Sequence, residues 1–472
     1  MHLADLVDHG GTAEVTGFAL DHRKVSPGTI FGAFRGARVN GEDYIPDAIK
    51  AGAIAVVCRP GVAVEGALHI AAEEPRARFA QLAARFYAPF PATTVAVTGT
   101  NGKTSVAELT RQLWHRAGHR AASIGTLGIT TAQEQVVTGL TTPDVVTFLA
   151  TMAGLQREGI SHASFEASSH GLDQYRTEGL PVAAAAFTNL SRDHLDYHGT
   201  MEAYFAAKLR LFSEVVRDGG AVVVWADDEP WSDRVIEAAK KRHLRIYPVG
   251  SRGEALRLLS RSATALGQRL RVSAEGREFT VNLPLIGAYQ AANALVAAGL
   301  VIATGGAVAA TLANLEHLQP VRGRLERAVI TRSGAPVYVD YAHTPDALAA
   351  AAEALRPHTT GRLILVFGAG GDRDQGKRPL MGETATQVAD KLFITDDNPR
   401  SEDPASIRAA IRAAAPDATE IGDRRAAIAA AIAEAGPQDV VLIAGKGHEQ
   451  GQIVGTQVLP FDDVQVAREC AA

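Results

Sequence analysis

The stretch VAVTGTNGKTS, Val95 to Ser105, decides how this chain is read. The β-branched run entering it from Thr93 reads as a buried strand that breaks at Gly99, and beyond Gly102 the apolar residues Val106, Leu109, Leu113 and Trp114 recur at helical spacing. Strand, glycine loop and helix together make a phosphate cradle. Glycines let backbone amides approach a polyphosphate closely, and a helix N-terminus favours negative charge. Lys103 is placed to reach the β- and γ-phosphates, and the Thr104 hydroxyl suits Mg²⁺. The loop is shorter than the G-x-x-x-x-G-K-[ST] pattern, because Val97 holds the place of the first glycine. A simple tight turn closing a βα unit would not require Lys and Thr after Gly102.

With 472 residues the chain is too long for one core and divides into about three domains. An apolar share of 46% and a charged share of 21% are those of an ordinary soluble protein. A net charge of −5 argues against nucleic-acid and membrane-surface partners, which need a basic face, so anionic ligands must be met by local basic groups. The two cysteines, Cys58 and Cys470, provide neither a disulfide framework nor a cysteine metal site, and a reducing, cytoplasmic location fits. Asp5 and Asp8 stand where a signal peptide would carry basic residues. The apolar run Ala294 to Ala303 is about half of the roughly 20 residues a membrane span needs and reads as a buried core helix.

The predicted fold class is α/β in three domains. Residues 1–91 form a small α/β unit with strands Thr29 to Phe34 and Ala53 to Val57, helices Ile45 to Ala51 and Arg76 to Tyr87, and a glycine-rich loop from Arg35 to Gly41. The polar stretches Asp21-His22-Arg23 and Gly41 to Ile45 lie along one edge and read as solvated loops; Pro89-Phe90-Pro91 reads as a linker. Residues 92–320 form a P-loop ATPase domain with a mostly parallel sheet and strands at Thr94 to Val97, His162 to Glu166, Ala184 to Phe187 and Ala221 to Trp225. Residues 321–472 form a Rossmann-like domain with strands at Val337 to Asp340, Leu363 to Phe367, Lys391 to Thr395 and Val440 to Ala444. Each of these last four runs into a polar loop bearing glycine or proline, and in open α/β sheets ligands collect at the carboxyl ends of the strands. Two nucleotide-sized domains facing each other imply a cleft that closes on substrates.

Phosphate-bound Mg²⁺ needs carboxylates at neighbouring strand ends. Glu166 ends one strand and reads either as such a ligand or as a helix cap. His194 and His198 have the i, i+4 spacing of helical metal ligands, but no Glu follows His194 as H-E-x-x-H requires, which argues against a zinc hydrolase.

The chain resembles the Mur ligase family of bacterial cell-wall synthesis. The resemblance covers essentially the whole sequence and rests on ordered blocks: TGTNGKT; E-x-SSHGL at Glu166 to Leu172; TNLSRDHLDYHG at Thr188 to Gly199; Y-x-x-AK at Tyr204 to Lys208; GR-x-E at Gly323 to Glu326; DYAHTPDAL at Asp340 to Leu348; GGDRD-x-GKRPLMG at Gly370 to Gly382; DDNPR at Asp396 to Arg400; and GKGHE at Gly445 to Glu449. It implies a uridine-nucleotide domain, a central ATPase and an amino-acid domain. ATP binding is implied for Gly99, Thr100, Asn101, Gly102, Lys103, Thr104, Ser105, Asn293, Arg324 and Asp340. Two Mg²⁺ ions are implied on Thr104, Glu166, His194 and Lys208, the lysine as a carbamate, since CO₂ on a neutral amine makes an anionic oxygen ligand of the kind Mg²⁺ prefers. A bare helix lysine would otherwise read as a solvated surface residue. Arg23, Thr141, Thr142, Ser168, Gln174 and Arg176 match contacts to a UDP-sugar dipeptide. Arg373, Asp397, Asn398, Arg400, Gly445 and Glu449 match the diaminopimelate pocket of the family's third-residue branch, whose lysine-adding members lack the arginine of DNPR. The pattern is broken by His22 in place of Ser, Gln290 in place of Asn and Trp225 in place of Asn.

The reaction implied joins the D-glutamyl carboxylate of UDP-MurNAc-L-Ala-D-Glu to the amine of meso-diaminopimelate through an acyl phosphate. Lys103, Glu166, His194 and Lys208 carry the phosphoryl step, and His343 is the candidate base for the amine. No nucleic acid or membrane is expected as partner, and the chain is expected to act as a monomer. Three other readings stay open: the same ligase using lysine or ornithine, a folylpolyglutamate synthase-like ligase, and a nucleotide-binding regulator without catalysis.

Overall fold

The β-branched runs become strands in a computed structural model that describes residues 1–36, 39–136, 141–264 and 267–472. Ala37 and Arg38 of the glycine-rich loop lie outside these residues. The N-terminal sheet is parallel throughout, with β1 (Gly17–Ala19), β2 (Thr29–Gly32), β3 (Ala53–Cys58) and β4 (Leu68–Ala71) side by side in that order. Helices α1 (Ile45–Lys50) and α2 (Pro75–Tyr87) flank it. Phe79, Leu82 and Ala83 of α2 are wholly buried at i, i+3, i+4 spacing, and that stripe joins the core of the next domain.

In the central domain the elements run β5 (Thr93–Thr98), α3 (Lys103–Arg116), β6 (Ala121–Gly125), β7 (Gly128–Thr130), β8 (Gln135–Val136), α4 (Val145–Arg157), β9 (His162–Glu166), α5 (Ser169–Asp173), β10 (Val182–Phe187), α6 (Leu195–His198), α7 (Met201–Arg210), β11 (Val216–Trp225), α8 (Trp231–Lys241), β12 (Arg245–Gly250), β13 (Leu256–Thr264), β14 (Gly267–Ala274), β15 (Arg277–Leu283), α9 (Ala288–Ala303) and α10 (Val308–Asn314). β5 sits in the middle of an 11-stranded sheet, between β10 and β9. Its residues alternate between two cores: Val95 and Val97 pack with α3 and α9, whereas Ala96 packs with α4 and Phe205 of α7. Helices therefore cover both faces. From β12 to β6 neighbouring strands are parallel. Both ends of the sheet turn antiparallel, at β13–β14–β15 and β6–β7–β8. In β14, Leu270, Val272 and Ala274 are buried while Arg269 and Arg271 are exposed, the alternation of a sheet with one wet face. Helix α9, which carries the apolar run, is a core helix, and among the described residues no helix is long and apolar enough to cross a membrane.

The C-terminal domain continues with β16 (Glu326–Ile330), β17 (Pro336–Asp340), α11 (Pro345–Leu355), β18 (Leu363–Phe367), α12 (Lys377–Val388), β19 (Lys391–Ile394), α13 (Pro404–Arg412), β20 (Thr419–Glu420), α14 (Arg424–Glu434), β21 (Val440–Ala444), the hairpin β22 (Gly451–Val454) and β23 (Gln457–Pro460), and α15 (Asp463–Ala471). Its six-stranded sheet has the order β16-β17-β21-β18-β19-β20, antiparallel only at β16. The loops after β17, β18, β19 and β21 consequently open at one end.

Candidate active site

A cleft of about 560 Å³ is lined by the glycine loop and the carboxyl ends of central strands on one side and by the C-terminal loops on the other. Gly99 and Gly102 are required by geometry as well as by ligand approach. Both have positive φ, and a Cβ would come within 1.9 Å of Thr188 Oγ1 at Gly99 and 2.4 Å of Asn293 Oδ1 at Gly102. Gly102 is the N-cap of α3 and provides no capping side chain, so the first amides of the helix are left for an anion. Lys103 curls over the loop, donating to Gly99 O at 3.0 Å and Thr100 O at 2.7 Å. From the C-terminal domain, Arg324 donates to Thr104 Oγ1 at 2.9 Å, and its Nε is buried with no partner among the described residues. An orphaned buried guanidinium nitrogen beside a phosphate loop is a donor waiting for an acceptor.

Lys208, far along the chain on α7, is 1% exposed and donates to Gly99 O at 2.7 Å, the carbonyl that Lys103 also uses. Burial and the neighbouring Lys103 hold this amine well below the ordinary lysine range. Glu166 is 2% exposed and accepts from Thr126 N at 2.7 Å and Thr126 Oγ1 at 3.2 Å. His194 caps α6 with φ 53°, and its Nε2 lies 3.6 Å from Asp193 Oδ2. Burial pushes this imidazole down to about 3. His198 Nε2 is engaged by Ser169 Oγ at 3.0 Å. Among the described residues no three His, Cys, Asp or Glu side chains are grouped to hold a metal by themselves. Thr104, Glu166 and His194 nevertheless line one cleft, which fits Mg²⁺, an ion that takes few protein ligands and completes its shell with phosphate and water.

Across the cleft Arg373 and Arg400 converge. Burial, then the like charge of Arg373, lowers the Arg400 guanidinium from its ordinary value, while Asp397 and Glu449 pull it back. Arg400 has φ 51° and donates to Gly371 O at 2.7 Å. Its own backbone is bound into the hairpin, with Arg400 N to Ile453 O at 3.0 Å and Gly455 N to Arg400 O at 2.7 Å. Asn398 Oδ1 accepts from Lys446 Nζ at 3.0 Å and Ile453 N at 2.9 Å, and its Nδ2 donates to Glu449 Oε2 at 2.8 Å.

Residues 14–88, 97–301 and 323–447 match the Mur ligase family catalytic domain, the Mur ligase middle domain and the Mur ligase glutamate ligase domain. A UDP-N-acetylmuramoyl-L-alanyl-D-glutamate--2,6-diaminopimelate ligase of Zymomonas mobilis is 61% identical, over 96% of this chain and 94% of that protein. The chain belongs to the Mur ligase family. A ligase of the same name from Bradyrhizobium diazoefficiens is 53% identical over 98% of this chain and 97% of its own length. A solved structure with that name superimposes with a TM-score of 0.73 at 32% identity, covering 100% of this chain and 98% of that one. The ADP complex of Mycobacterium tuberculosis folylpolyglutamate synthase shares the fold alone, with a TM-score of 0.66 at 20% identity over 84% of this chain and 93% of that one. As a Mur ligase the protein forms an amide bond using ATP.

This Mur ligase does not gather every expected residue at the cleft wall. Thr100 to Thr104, Thr141, Ser168, Glu166, His194, Lys208, Arg324, His343, Arg373, Asp397, Asn398, Arg400, Gly445 and Glu449 line it. Asp340 lies behind the wall, its oxygens accepting from Leu325 N at 2.6 Å, Ala342 N at 2.8 Å and the Tyr289 hydroxyl at 3.1 Å. Ser105 is buried in α3, and Asn293 Nδ2 donates to Gln290 Oε1 at 3.3 Å. Gln290, the departure from Asn, also donates to Arg324 O at 3.2 Å and so spans the domain junction. Trp225 rests partly buried on the core beside α9. Thr142, Gln174 and Arg176 form one network: Arg176 Nη1 donates to Thr142 O at 2.8 Å and Arg176 Nη2 to Gln174 Oε1 at 2.8 Å. Arg23 stands apart in the N-terminal domain, paired with Asp21 at 2.7 Å and 77% exposed, while His22 stacks on Tyr44 at 4.4 Å. Sequence reasoning missed Asp193, which is 8% exposed between His194 and His343, and Lys446, wholly buried under Asn398 and Glu449. Both fall inside the quoted blocks, so block membership was the available signal.

Proposed function

We propose that this Mur ligase adds meso-2,6-diaminopimelate to UDP-MurNAc-L-Ala-D-Glu in the cytoplasm, where ATP and a UDP-linked precursor are both at hand. The observation that carries the reading is the pair Arg373 and Arg400 facing the cleft opposite Lys103 and Lys208. Diaminopimelate differs from lysine by a far-end carboxylate, and guanidinium groups grip carboxylates through paired hydrogen bonds. The names of the relatives from Zymomonas mobilis and Bradyrhizobium diazoefficiens support the same choice.

The acceptor carboxylate attacks the γ-phosphorus and ADP leaves, giving an acyl phosphate. The diaminopimelate amine then attacks the acyl carbon, and the tetrahedral adduct expels phosphate. Lys103, the uncapped amides of α3 and the unpartnered Arg324 Nε hold the phosphates, so this part of the work is positioning and charge stabilisation. Mg²⁺ held by Thr104, Glu166, His194 and carbamylated Lys208 would neutralise phosphate charge. Lys208 is suited to carbamylation because burial favours its neutral amine: the nitrogen lone pair bonds to CO₂ and an N–H proton is released. His343 Nδ1 donates to Tyr341 O at 2.9 Å and its Nε2 faces Asp193 Oδ2 at 3.7 Å, so as the candidate base Nε2 would take the amine proton and the Asp193 carboxylate would hold the resulting imidazolium. Residues 1–91 bind the uridine end, with Arg23 among the contacts, residues 92–320 bind ATP and residues 321–472 bind the amino acid. Thr141, Thr142, Ser168, Gln174 and Arg176 hold the sugar dipeptide.

ADP formation measured with the UDP-dipeptide against diaminopimelate, lysine, ornithine and glutamate tests the reading. Diaminopimelate is expected to be preferred. Preference for lysine or ornithine would overturn the amino-acid assignment, and no turnover with the UDP-dipeptide would overturn the acceptor.

A further inference from the structure

Beneath the loops that face the amino acid lies an ion pair that plays no part in the steps above. Arg424, the first residue of α14, and Asp463, the first residue of α15, have side chains fully shielded from water. They meet side-on, Arg424 Nε to Asp463 Oδ1 at 2.8 Å and Arg424 Nη2 to Asp463 Oδ2 at 2.7 Å. The guanidinium has donors to spare. Nη2 also donates to Ala444 O at 2.9 Å, and Nη1 to Asp396 O at 3.4 Å.

Those two carbonyls sit at consequential places. Ala444 ends β21 directly before Gly445 of the GKGHE loop, and Asp396 precedes Asp397 of the DNPR loop. The loops also touch each other there, since a Cβ on Gly445 would lie 2.5 Å from Asp397 Oδ2 and 3.9 Å from Arg424 Nη2. Arg424 itself is absent from the cleft wall. A buried ion pair is seldom worth much stability, because desolvation offsets its attraction, so a role confined to holding the fold together accounts poorly for it.

We infer that Arg424, neutralised by Asp463, is a positioning residue that fixes the spacing between the loop bearing Asp397, Asn398 and Arg400 and the loop bearing Gly445 and Glu449, and thereby sets affinity for the amino-acid substrate. This rests on the proposed amino-acid site at these loops. The two loops leave different strands, and apart from Arg424 they are tied by buried Lys446, which donates to Asn398 Oδ1 at 3.0 Å, and by the bonds of Arg400 and Asp397 to the following hairpin, so Arg424 is the tether at the strand ends themselves. A guanidinium can bridge them because its rigid fork reaches a carboxylate and two carbonyls at once, which an ammonium cannot.

The test compares wild type, Arg424→Lys and the double variant Arg424→Met/Asp463→Leu, in which an apolar pair of similar volume replaces the ion pair and removes the tethers. In the double variant KM for the amino acid is expected to rise about 10- to 100-fold, since displacing binding groups by an ångström costs that much, while KM for ATP and for the UDP-dipeptide stays within about twofold. Arg424→Lys, with the charge kept but its donors gathered on a single nitrogen that cannot span both carbonyls, should fall between. An unchanged amino-acid KM in a folded double variant would overturn the inference, as would equal rises in all three KM values. If the double variant does not fold, a wild-type amino-acid KM in Arg424→Lys overturns it. The substrate panel on wild type is run alongside: a preference for lysine there refutes the diaminopimelate assignment, whereas the positioning role is read from the KM of whichever amino acid the wild type uses.

Discussion

Lys208 shows what a single residue gains from its surroundings. On a bare helix it would be solvated, yet here it is 1% exposed with its amine on Gly99 O and over the Tyr204 ring at 4.4 Å. Among the described residues no carboxylate hydrogen-bonds to it, and burial outweighs the pull of Asp193, so the neutral amine, the form that can take up CO₂, is favoured. Lys208→Ala is expected to lose nearly all turnover, with partial rescue by formate or acetate; near-normal phosphate release would sink the carbamate argument. Arg400 belongs to the same scale. A charge-assisted hydrogen bond contributes roughly 1.5 to 3 kcal/mol, so Arg400→Ala should lower kcat/KM for diaminopimelate by about 10- to 150-fold while lysine use gains little. Equal losses for both amino acids would show that Arg400 supports the loop rather than reading the far carboxylate. Arginine at this point was legible from the DNPR block. Its left-handed backbone and its bonding to the hairpin were not, because Ile453 and Gly455 are distant in sequence.

Among the elements, the loop ends of the central strands carry a titrating group outside the reaction. Asp228, just beyond β11, accepts from Leu190 N at 2.9 Å in the loop after β10. Burial pushes its carboxyl up to about 6, the Leu190 amide pulls it back, and Asp346 adds to the rise. The folded state therefore binds more protons than the unfolded one between the ordinary carboxylate value and about 6, and stability falls as pH rises through that window. Asp228→Asn keeps an oxygen for Leu190 and removes the charge. Its melting temperature is expected to exceed that of wild type at neutral pH, with the difference shrinking in mild acid; an equal difference at both pH values would refute this. Periodicity located the central strands well, since burial on both faces leaves continuous apolar runs such as Val222, Val223 and Val224. It passed over β13 to β15, where arginines alternate with leucine and valine and the polar half of the pattern resembles loop.

At the scale of the molecule, the site exists only because two domains meet. Arg324 reaches Thr104 across 220 residues of sequence, and Arg192 pairs with Asp374 at 3.1 Å across the same junction. Arg324→Ala removes both that bond and the unpartnered Nε, so KM for ATP should rise about tenfold or more, the loss of one charged hydrogen bond, with KM for the amino acid little changed. An unaltered ATP dependence in equilibrium nucleotide titration would show that the arginine serves the junction alone.

The sequence by itself determined the apolar inner strands of the sheets, the glycine loop and the family, because strand and helix depend on local periodicity and because glycine, lysine and threonine at fixed spacing have few other uses. The tertiary structure decided the rest. It alone buried Lys208 on Gly99, set Asp193 between two histidines, kept Asp340 behind the cleft wall and tied two loops through Arg424. Each of those contacts joins residues far apart in the chain, where neither spacing nor propensity carries information, and a group's charge state follows from how far packing removes it from water.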